Sequence, residues 1–253
     1  MDRALLLQDI ESGLRKLGLK AGMYLEVHSA LSSFGQVDGG AQTVVTALKN
    51  IITDQGAIIM PAFTLSKEQL LSDKDKKIGI LKKLKVLPEN TSETTGMGAI
   101  ADAFRAGADV IVGEGRHRVA AWGAEQELNV QGFGNLHKRN GHALLIGVDI
   151  YRLSSMHYVE CSLPEDIKQR FKPSDDILKT YPDDQWFVET YKPPIKAWYT
   201  IQNRAIEQNY INERKIGKAK CMFFEVNKVI NLYKEALETD PYGLYGLEPS
   251  VEA

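Results

Sequence analysis

The chain has 253 residues, of which 43% are hydrophobic and 25% are charged, a composition typical of globular proteins. Its 31 basic and 33 acidic residues give a formal net charge of −2, so no overall basic charge indicates nucleic-acid binding. No window approaches about 18 apolar residues, so no membrane span is expected. The N-terminus resembles an amphipathic helix rather than a signal peptide, and the two cysteines fit a reducing compartment, so the sequence predicts a cytoplasmic protein.

The first 63 residues alternate between helical and strand patterns. Apolar residues recur at helical spacing over 4–19, and a short apolar strand follows at 23–31. The alternation then repeats as a helix over 39–53 and a strand over 57–63. This rhythm predicts a layered α/β fold with a largely parallel sheet.

A polar excursion at 65–90 interrupts that rhythm. It contains seven lysines and four acidic residues, and it predicts a surface loop with a short helix. A threonine-capped helix then begins within 91–107. Strands are predicted at the places where short apolar runs return, which are 109–113, 118–123 and 142–149.

The C-terminal third is less regular. An aromatic stretch precedes a helix predicted over 203–214, and a single strand is predicted over 216–226. A last helix covers 226–237. The tail 240–253 has low periodicity and is predicted to be irregular, and the whole of 1–253 is predicted to form a single domain.

Polar residues follow the first predicted strand in the stretch "VHSALSSFG". Ligands of open α/β sheets lie outside the carboxyl ends of the strands, so Ser29, Ser32 and Ser33 could hold a phosphate or a pantetheine amide. The alternative is that these serines only cap a turn. The chemistry of the residues favours neither interpretation.

Two further stretches carry polar residues near strand ends. In "EGRHRVAAWG", Arg116 and Arg118 suit phosphate recognition, although solvated surface arginines are more common. In "GVDIYRLSSMHYVE", His157 follows two serines and precedes Glu160 by three residues, which is compatible with either a catalytic base or a helix-surface histidine. No metal-ligand spacing is present, so no metal is expected.

Several of these stretches together resemble one family. The segment "LEVHSALSSFGQVDGGAQTVVTALKNIITDQGAIIMPAFT" is similar to the opening pattern of the aminoglycoside 3-N-acetyltransferases. The resemblance continues through "TTGMGAIADAFR", "VAAWG", "GFGNLHKRNGHALLIGVDIYRLSSMHYVE" and "RKIGKAKCMFF", in the same order over most of 3–230.

The resemblance implies a fold and a reaction. The family has a three-layer α/β/α fold around a mixed sheet and transfers an acetyl group from acetyl-CoA to an amine of an amino sugar. By motif, the proposed general base falls on His157, which suits removal of a proton from an incoming ammonium group. The family's carboxylate partner of that histidine falls in "WFVETYKPPIK", where Glu189 is the only acid, although out of register.

The same resemblance implies that the strand end with His28, Ser29, Ser32 and Ser33 binds the coenzyme arm. The two arginines of "EGRHRVAAWG" are candidates for the coenzyme phosphates because of their own chemistry. His28 is also the next candidate for the base, because it too lies at a strand end.

The sequence departs from the family pattern in two stretches. Glu114 and Arg118 stand where the family has a histidine and a serine, and Gln131 and Gly132 replace its "SP". Both stretches lie near the coenzyme in the family, so contacts there must differ. The lysines of 65–90 would disfavour a polycationic acceptor if they face it, and they would tolerate a nucleotide-linked amino sugar.

The predicted function is therefore an acyl-CoA-dependent N-acyltransferase with a small-molecule amine acceptor, without nucleic-acid or membrane partners. Two alternatives stay open. One is a thioester hydrolase that uses Ser154 or Ser155 with His157, and the other is a non-catalytic or CoA-binding paralogue. A homo-oligomer is also left open.

Overall fold

The computed structural model describes residues 3–191 and 195–248. Its strands are β1 Tyr24–Ser29, β2 Ala57–Pro61, β3 Lys82–Lys85, β4 Ile111–Val112, β5 Val119–Gly123, β6 His142–Ile146, β7 Trp186–Glu189, β8 Asn212–Ile216 and β9 Ala219–Glu225. Its α-helices are α1 Leu7–Leu17, α2 Gly40–Ile52, α3 Asp73–Lys77, α4 Ala99–Arg105, α5 Gln126–Asn129, α6 Gly134–Lys138, α7 His157–Glu160, α8 Glu165–Arg170, α9 Asp175–Thr180, α10 Ile195–Glu207, α11 Val226–Thr239 and α12 Pro241–Tyr245. Within these ranges no helix is long and apolar enough to cross a membrane.

The central sheet has seven strands in the order β4-β5-β2-β1-β6-β9-β8. β1 pairs in parallel with β2 on one side and β6 on the other, and the outer pairings are antiparallel. The predicted α/β fold with a mixed sheet is confirmed, and the parallel pairings lie at its centre.

Helices cover both faces of this sheet, because alternate residues of each strand point to opposite sides. Leu25 and Val27 of β1 pack into a core with α1, α2 and α4. Leu145 of β6 and Phe224 of β9 pack into a second core with α10 and α11. The three-layer arrangement follows from these two cores.

The 65–90 excursion is more ordered than the predicted surface loop. β3 pairs antiparallel with β7 and forms a separate two-stranded sheet. Asp75 and Lys83 are both buried, and Lys83 Nζ lies 2.6 Å from Asp75 Oδ2. The Tyr181 hydroxyl donates to the other oxygen of Asp75. The prediction missed this unit because its strands are about 100 residues apart in the chain and short, and one of them is rich in lysine.

The C-terminal third corrects two predictions. The helix predicted over 203–214 ends at Glu207, and the residues after it form β8. The strand predicted over 216–226 is divided by a tight turn at Gly217, whose φ of 57° suits glycine. β8 therefore pairs with β9 as a hairpin, since edge pairing outweighs the helical pattern of this stretch.

The tail is also more ordered than predicted. Helix α12 begins at Pro241 after an Asp240 cap, whose side chain accepts from the Gly243 amide. Leu244 and Tyr245 are buried against α11 and α10. The last part of the predicted irregular tail, 249–253, lies outside the described residues.

Candidate active site

The carboxyl ends of β1 and β6 lie side by side, since Ser29 is paired with Ile146. The chain leaves β6 through Gly147, where a Cβ atom would overlap the Ser33 side chain and where φ is 64°. This close approach brings the segment after β6 against the turn after β1. That segment carries His157, so the sheet edge expected to bind ligands is also the edge that holds the histidine.

His157 begins α7, and its side chain is 66% exposed. Its Nδ1 lies 2.5 Å from Glu160 Oε2, one helical turn later. Its ring also packs edge-on against Trp198, with 5.0 Å between ring centroids. These contacts orient the ring while leaving Nε2 without a hydrogen bond to any described residue, as a base that receives a proton from a ligand requires.

Glu160 is held in turn by buried aromatic residues. Trp198 Nε1 lies 3.2 Å from Glu160 Oε1 and 3.2 Å from the Tyr233 hydroxyl oxygen. The Tyr233 and Tyr245 hydroxyls are hydrogen-bonded to each other. The orientation of His157 thus depends on a chain of contacts that reaches α12.

The structure corrects the predicted carboxylate partner. Glu189 lies on β7 with its Oε1 3.4 Å from Lys82 Nζ, and it makes no hydrogen bond to His157. Glu160 occupies the partner position instead. The sequence could have indicated Glu160, because it follows His157 by three residues and residues three apart on a helix are neighbours.

The pKa of His157 is subject to opposing effects. Partial burial lowers it, because the charged form loses hydration. The hydrogen bond to Glu160 raises it, as do the negative charges of Glu160, Glu26 and Glu189. The raising effects prevail, so the pKa of His157 lies above the usual value for histidine.

His28, a predicted coenzyme contact, is buried and paired with a carboxylate. It is 7% exposed, and its Nε2 lies 2.7 Å from Glu26 Oε1. The Ser154 amide nitrogen lies 3.3 Å from the same ring atom. His28 therefore lies beneath the segment that leads to His157, and neither a coenzyme contact nor a role as an alternative base fits its burial.

The three serines differ in their surroundings. Ser32 is exposed in a 3₁₀ turn, Leu31–Phe34. Ser33 donates its hydroxyl to the Ala30 carbonyl at 2.6 Å, as expected for a turn cap. Ser29 is half-buried at the end of β1. Of the three, Ser29 and Ser32 keep hydroxyls without a hydrogen bond to any described residue, so they stay candidates for coenzyme contacts.

The two arginines are engaged by backbone carbonyls. Arg118 is 9% exposed, and its guanidinium donates to the carbonyls of Ala62 and Glu89. Arg116 donates to the Asp183 carbonyl. Arg118 thus braces loops beside β5, and its predicted phosphate contact does not fit this burial. Arg116 is half-buried at the same edge.

A cleft of about 440 Å³ opens beside these arginines and combines both stretches that depart from the family pattern. Its lining residues are Val112, Gly113, Glu114, His117, Arg118, Val119, Val130, Gln131 and Gly132. We call it the 112–132 cleft. The Tyr158 hydroxyl accepts from the Phe133 amide at 3.1 Å and contacts the Gly132 position, so the helix that carries His157 adjoins this cleft.

His117 lines the 112–132 cleft and is a residue that the sequence prediction did not select. Its ring packs edge-on against Phe63 and Phe187, with centroids 5.2 and 6.4 Å away. Partial burial, the charge of Arg116 and that of His157 all lower the pKa of His117. The sequence could have drawn attention to it, because it lies between two arginines that were themselves candidates.

Comparison with known proteins decides the family. The model of aminoglycoside 3-N-acetyltransferases matches residues 27–238, well over half of the chain. The chain belongs to this family. The prediction of an N-acetyltransferase that uses acetyl-CoA is thereby confirmed at the level of the family.

Individual relatives of the acetyltransferase family agree. The chain is 28% identical to the SPbeta prophage-derived aminoglycoside N(3')-acetyltransferase-like protein YokD of Bacillus subtilis (strain 168), over 88% of this chain and 89% of that protein. A segment of 50 residues is 44% identical to aminoglycoside N(3)-acetyltransferase III of Salmonella sp, covering 20% of this chain and 18% of that enzyme.

Solved structures share the acetyltransferase fold. The crystal structure of YokD from Bacillus subtilis superposes with a TM-score of 0.68 at 21% identity, over 93% of this chain and 94% of that one. The aminoglycoside acetyltransferase AAC(3)-IVa gives 0.71 at 17% identity, over 98% and 94%. AAC-IIIb, solved as a binary with CoASH, gives 0.67 at 15% identity, over 94% and 97%.

Proposed function

We propose that this acetyltransferase moves the acetyl group of acetyl-CoA to a primary amine of an amino sugar, with His157 as the general base. The observation that carries the proposal is the geometry of His157, which is oriented by Glu160 and Trp198 and has its Nε2 free of hydrogen bonds to described residues. Neutral imidazole would accept a proton from the amine as its nitrogen forms a bond to the thioester carbonyl carbon. The C–S bond then breaks, and CoA leaves as a thiolate that takes up a proton to give the free thiol.

The 112–132 cleft is our candidate for the coenzyme. It adjoins the helix of His157 through Tyr158, which would bring a thioester within reach of the base. Ser29 and Ser32 are the remaining candidates for contacts to the coenzyme arm. Arg116 is the more accessible of the two arginines for a phosphate, because Arg118 is buried.

The negative charges around His157 suit an amine substrate. Glu160, Glu189 and Glu26 all raise the pKa of His157, so a positive charge is favoured there. An acceptor ammonium group would be attracted for the same reason. This supports a cationic amine at the reacting position and does not depend on the rest of the acceptor.

The sequence suggested that the lysines of 65–90 would favour an anionic, nucleotide-linked acceptor, and the structure weakens that argument. Lys82 and Lys83 form ion pairs with Glu189 and Asp75, so their charges are largely offset. The exposed Lys85 lies over the Trp186 ring. We retain an amino sugar as the acceptor and leave the nucleotide-linked form as one arm of the test.

The test is an acceptor screen with acetyl-CoA, in which free thiol release is followed at low and high salt. One arm uses polycationic aminoglycosides and the other uses amino-sugar phosphates and nucleotide-linked amino sugars. Amine-dependent thiol release in either arm supports the proposal. Efficient turnover of aminoglycosides with none of the anionic sugars would remove the nucleotide-linked acceptor.

Two controls separate the alternatives. Thiol release without any amine would indicate a thioester hydrolase. Of its two candidate nucleophiles, Ser155 is poorly suited because it is buried with its hydroxyl bound to Glu26 and His137, whereas Ser154 is half-buried. Calorimetric binding of acetyl-CoA without turnover of any amine would indicate a CoA-binding paralogue. Absence of both binding and turnover would contradict the proposal.

A further inference from the structure

The middle of β1 carries a carboxylate that is completely buried. Glu26 is 0% exposed, and on the adjacent strands its partners in register are Ile59 and Ala143, which are apolar. It shares a face of the sheet with His28, two residues later. A carboxylate in such a place is costly unless hydrogen bonds replace its hydration.

The hydrogen bonds of Glu26 converge on the turn before His157. The Ser155 hydroxyl donates to Glu26 Oε2, and the Ser155 amide lies 3.2 Å from Oε1. His137 Nε2 lies 2.8 Å from the Ser155 hydroxyl oxygen and supports it from the other side. His28, which contacts Oε1 at 2.7 Å, also lies 3.3 Å from the Ser154 amide.

This turn determines where α7 begins. Residues Ser154–Met156 form a 3₁₀ turn that runs directly into His157. Ser155 and Met156 are fully buried, whereas His157 is exposed. The turn is therefore the fixed end of the segment that carries the imidazole, and Glu26 binds both the backbone and the side chain of its central residue.

We propose that Glu26 is a positioning residue for acetyl transfer, which holds the Ser154–Met156 turn so that His157 faces the bound substrates. The proposal rests on the proposed function of His157 as the base. A general base must lie within hydrogen-bond reach of its proton, and a misplacement of about 1 Å can cost roughly 10²-fold in rate. Glu26 need not touch a substrate to have this effect.

The charge of Glu26 gives the proposal an independent readout. It is one of three carboxylates that raise the pKa of His157, together with Glu160 and Glu189. Among the described residues, His117 also interacts with His157, whose charge lowers the pKa of His117. Removal of the Glu26 charge should thus lower the pKa of His157, which a purely structural residue would leave unchanged.

The central variant is Glu26→Gln, which keeps the shape of the side chain and one oxygen for the Ser155 amide. It removes the charge and one of the two acceptor oxygens. We expect kcat per folded molecule to fall at least about tenfold, with the KM for acetyl-CoA changed less than about twofold. A kcat per folded molecule within about twofold of wild type would overturn the proposal.

The matched control is Glu125→Gln. Glu125 also receives several hydrogen bonds, from Tyr24, Asn135 and Arg139, but it lies beside the other end of β1. Its replacement should lower stability and leave kcat per folded molecule unchanged. A fall in kcat equal to that of Glu26→Gln would mean that any loss of carboxylate contacts around β1 has this effect, and would overturn the proposal.

A second measurement does not require turnover. The ring titration of His157, followed by NMR, should give a lower pKa in Glu26→Gln and an unchanged one in Glu125→Gln. An unchanged pKa of His157 in Glu26→Gln would overturn the proposal, whether or not the wild-type protein transfers an acetyl group. Absence of acetyl transfer in wild type would by itself reject only the proposed function.

Ser155→Ala covers the case in which Glu26→Gln does not fold. It removes the hydroxyl contact and retains the charge of Glu26. We expect a fall in kcat per folded molecule of about three- to tenfold, the size of one lost hydrogen bond. Wild-type kcat in Ser155→Ala would count against the proposal.

Discussion

Replacement of Trp198 by phenylalanine tests how the candidate base is oriented. Trp198 is 2% exposed, and its Nε1 lies 3.2 Å from both Glu160 Oε1 and the Tyr233 hydroxyl oxygen. Its ring also packs edge-on against His157. Trp198→Phe keeps an aromatic ring but removes the N–H donor and part of the buried surface, so Glu160 loses its link to the core.

The expected loss of stability can be worked out from these contacts. A hydrogen bond to a charged group contributes about 1.5–3 kcal/mol, and a donor shared between two acceptors at 3.2 Å belongs at the lower end of that range. The smaller ring buries fewer apolar atoms, which costs roughly 1–2 kcal/mol more. The free energy of unfolding should therefore fall by about 3 kcal/mol.

Urea denaturation followed by far-UV circular dichroism would measure that change, and steady-state kinetics would measure kcat. The control is Trp122→Phe, which removes another indole donor to a carboxylate, Asp109 at 2.8 Å, from a half-buried tryptophan whose partner is 60% exposed. It should cost less than about 1 kcal/mol and leave kcat unchanged. Equal losses of stability in the two variants, or wild-type kcat in Trp198→Phe, would refute the role assigned to Trp198.

Two further predictions concern buried polar groups. Lys83→Met should lower the free energy of unfolding by roughly 3 kcal/mol, because Asp75 stays buried without its cation, whereas Lys82→Met should cost under about 1 kcal/mol. The Lys83 ammonium holds the pKa of Asp75 well below its usual range. The free energy of unfolding of wild type should therefore fall as the pH drops below about 4, and it should fall less steeply in Lys83→Met. An equally steep fall in both proteins would refute this. Burial raises the pKa of Cys221 to about 12, so a thiol reagent should modify only the exposed Cys161 quickly in the native protein, and two fast thiols would contradict that burial.

Two of the central strands, β2 and β6, were predictable because each is a short, almost uninterrupted apolar run, whereas β1 also carries Glu26 and His28. β1, β2 and β6 are buried on both faces, and strands of that kind stand out from the sequence without any knowledge of their partners. β3 and β8 carry lysines and other charges, since one belongs to a small satellite sheet and the other to an exposed edge. Their strand character comes from pairing across the fold, which local patterns do not encode.

The candidate site was only partly predictable from the sequence. His157 was selected by motif, but its partner was sought in the distant Glu189, although Glu160 lay one helical turn away. His28 was expected to bind the coenzyme arm from the family resemblance, and to be the next candidate for the base because it lies at a strand end. Its side chain instead points into the sheet face that contains Glu26, and a strand-end position alone does not decide on which side a residue lies.

The most direct test of the account is the pH dependence of acetyl transfer in wild type and in His157→Gln. Because the base must be neutral, wild-type kcat should rise with pH through the raised pKa of His157 and then level off. In His157→Gln that rise should disappear and kcat should fall by about 10²–10⁴-fold, with the affinity for acetyl-CoA unchanged. A variant that keeps kcat within a few-fold of wild type, with the same dependence on pH, would contradict the assignment of His157 as the base.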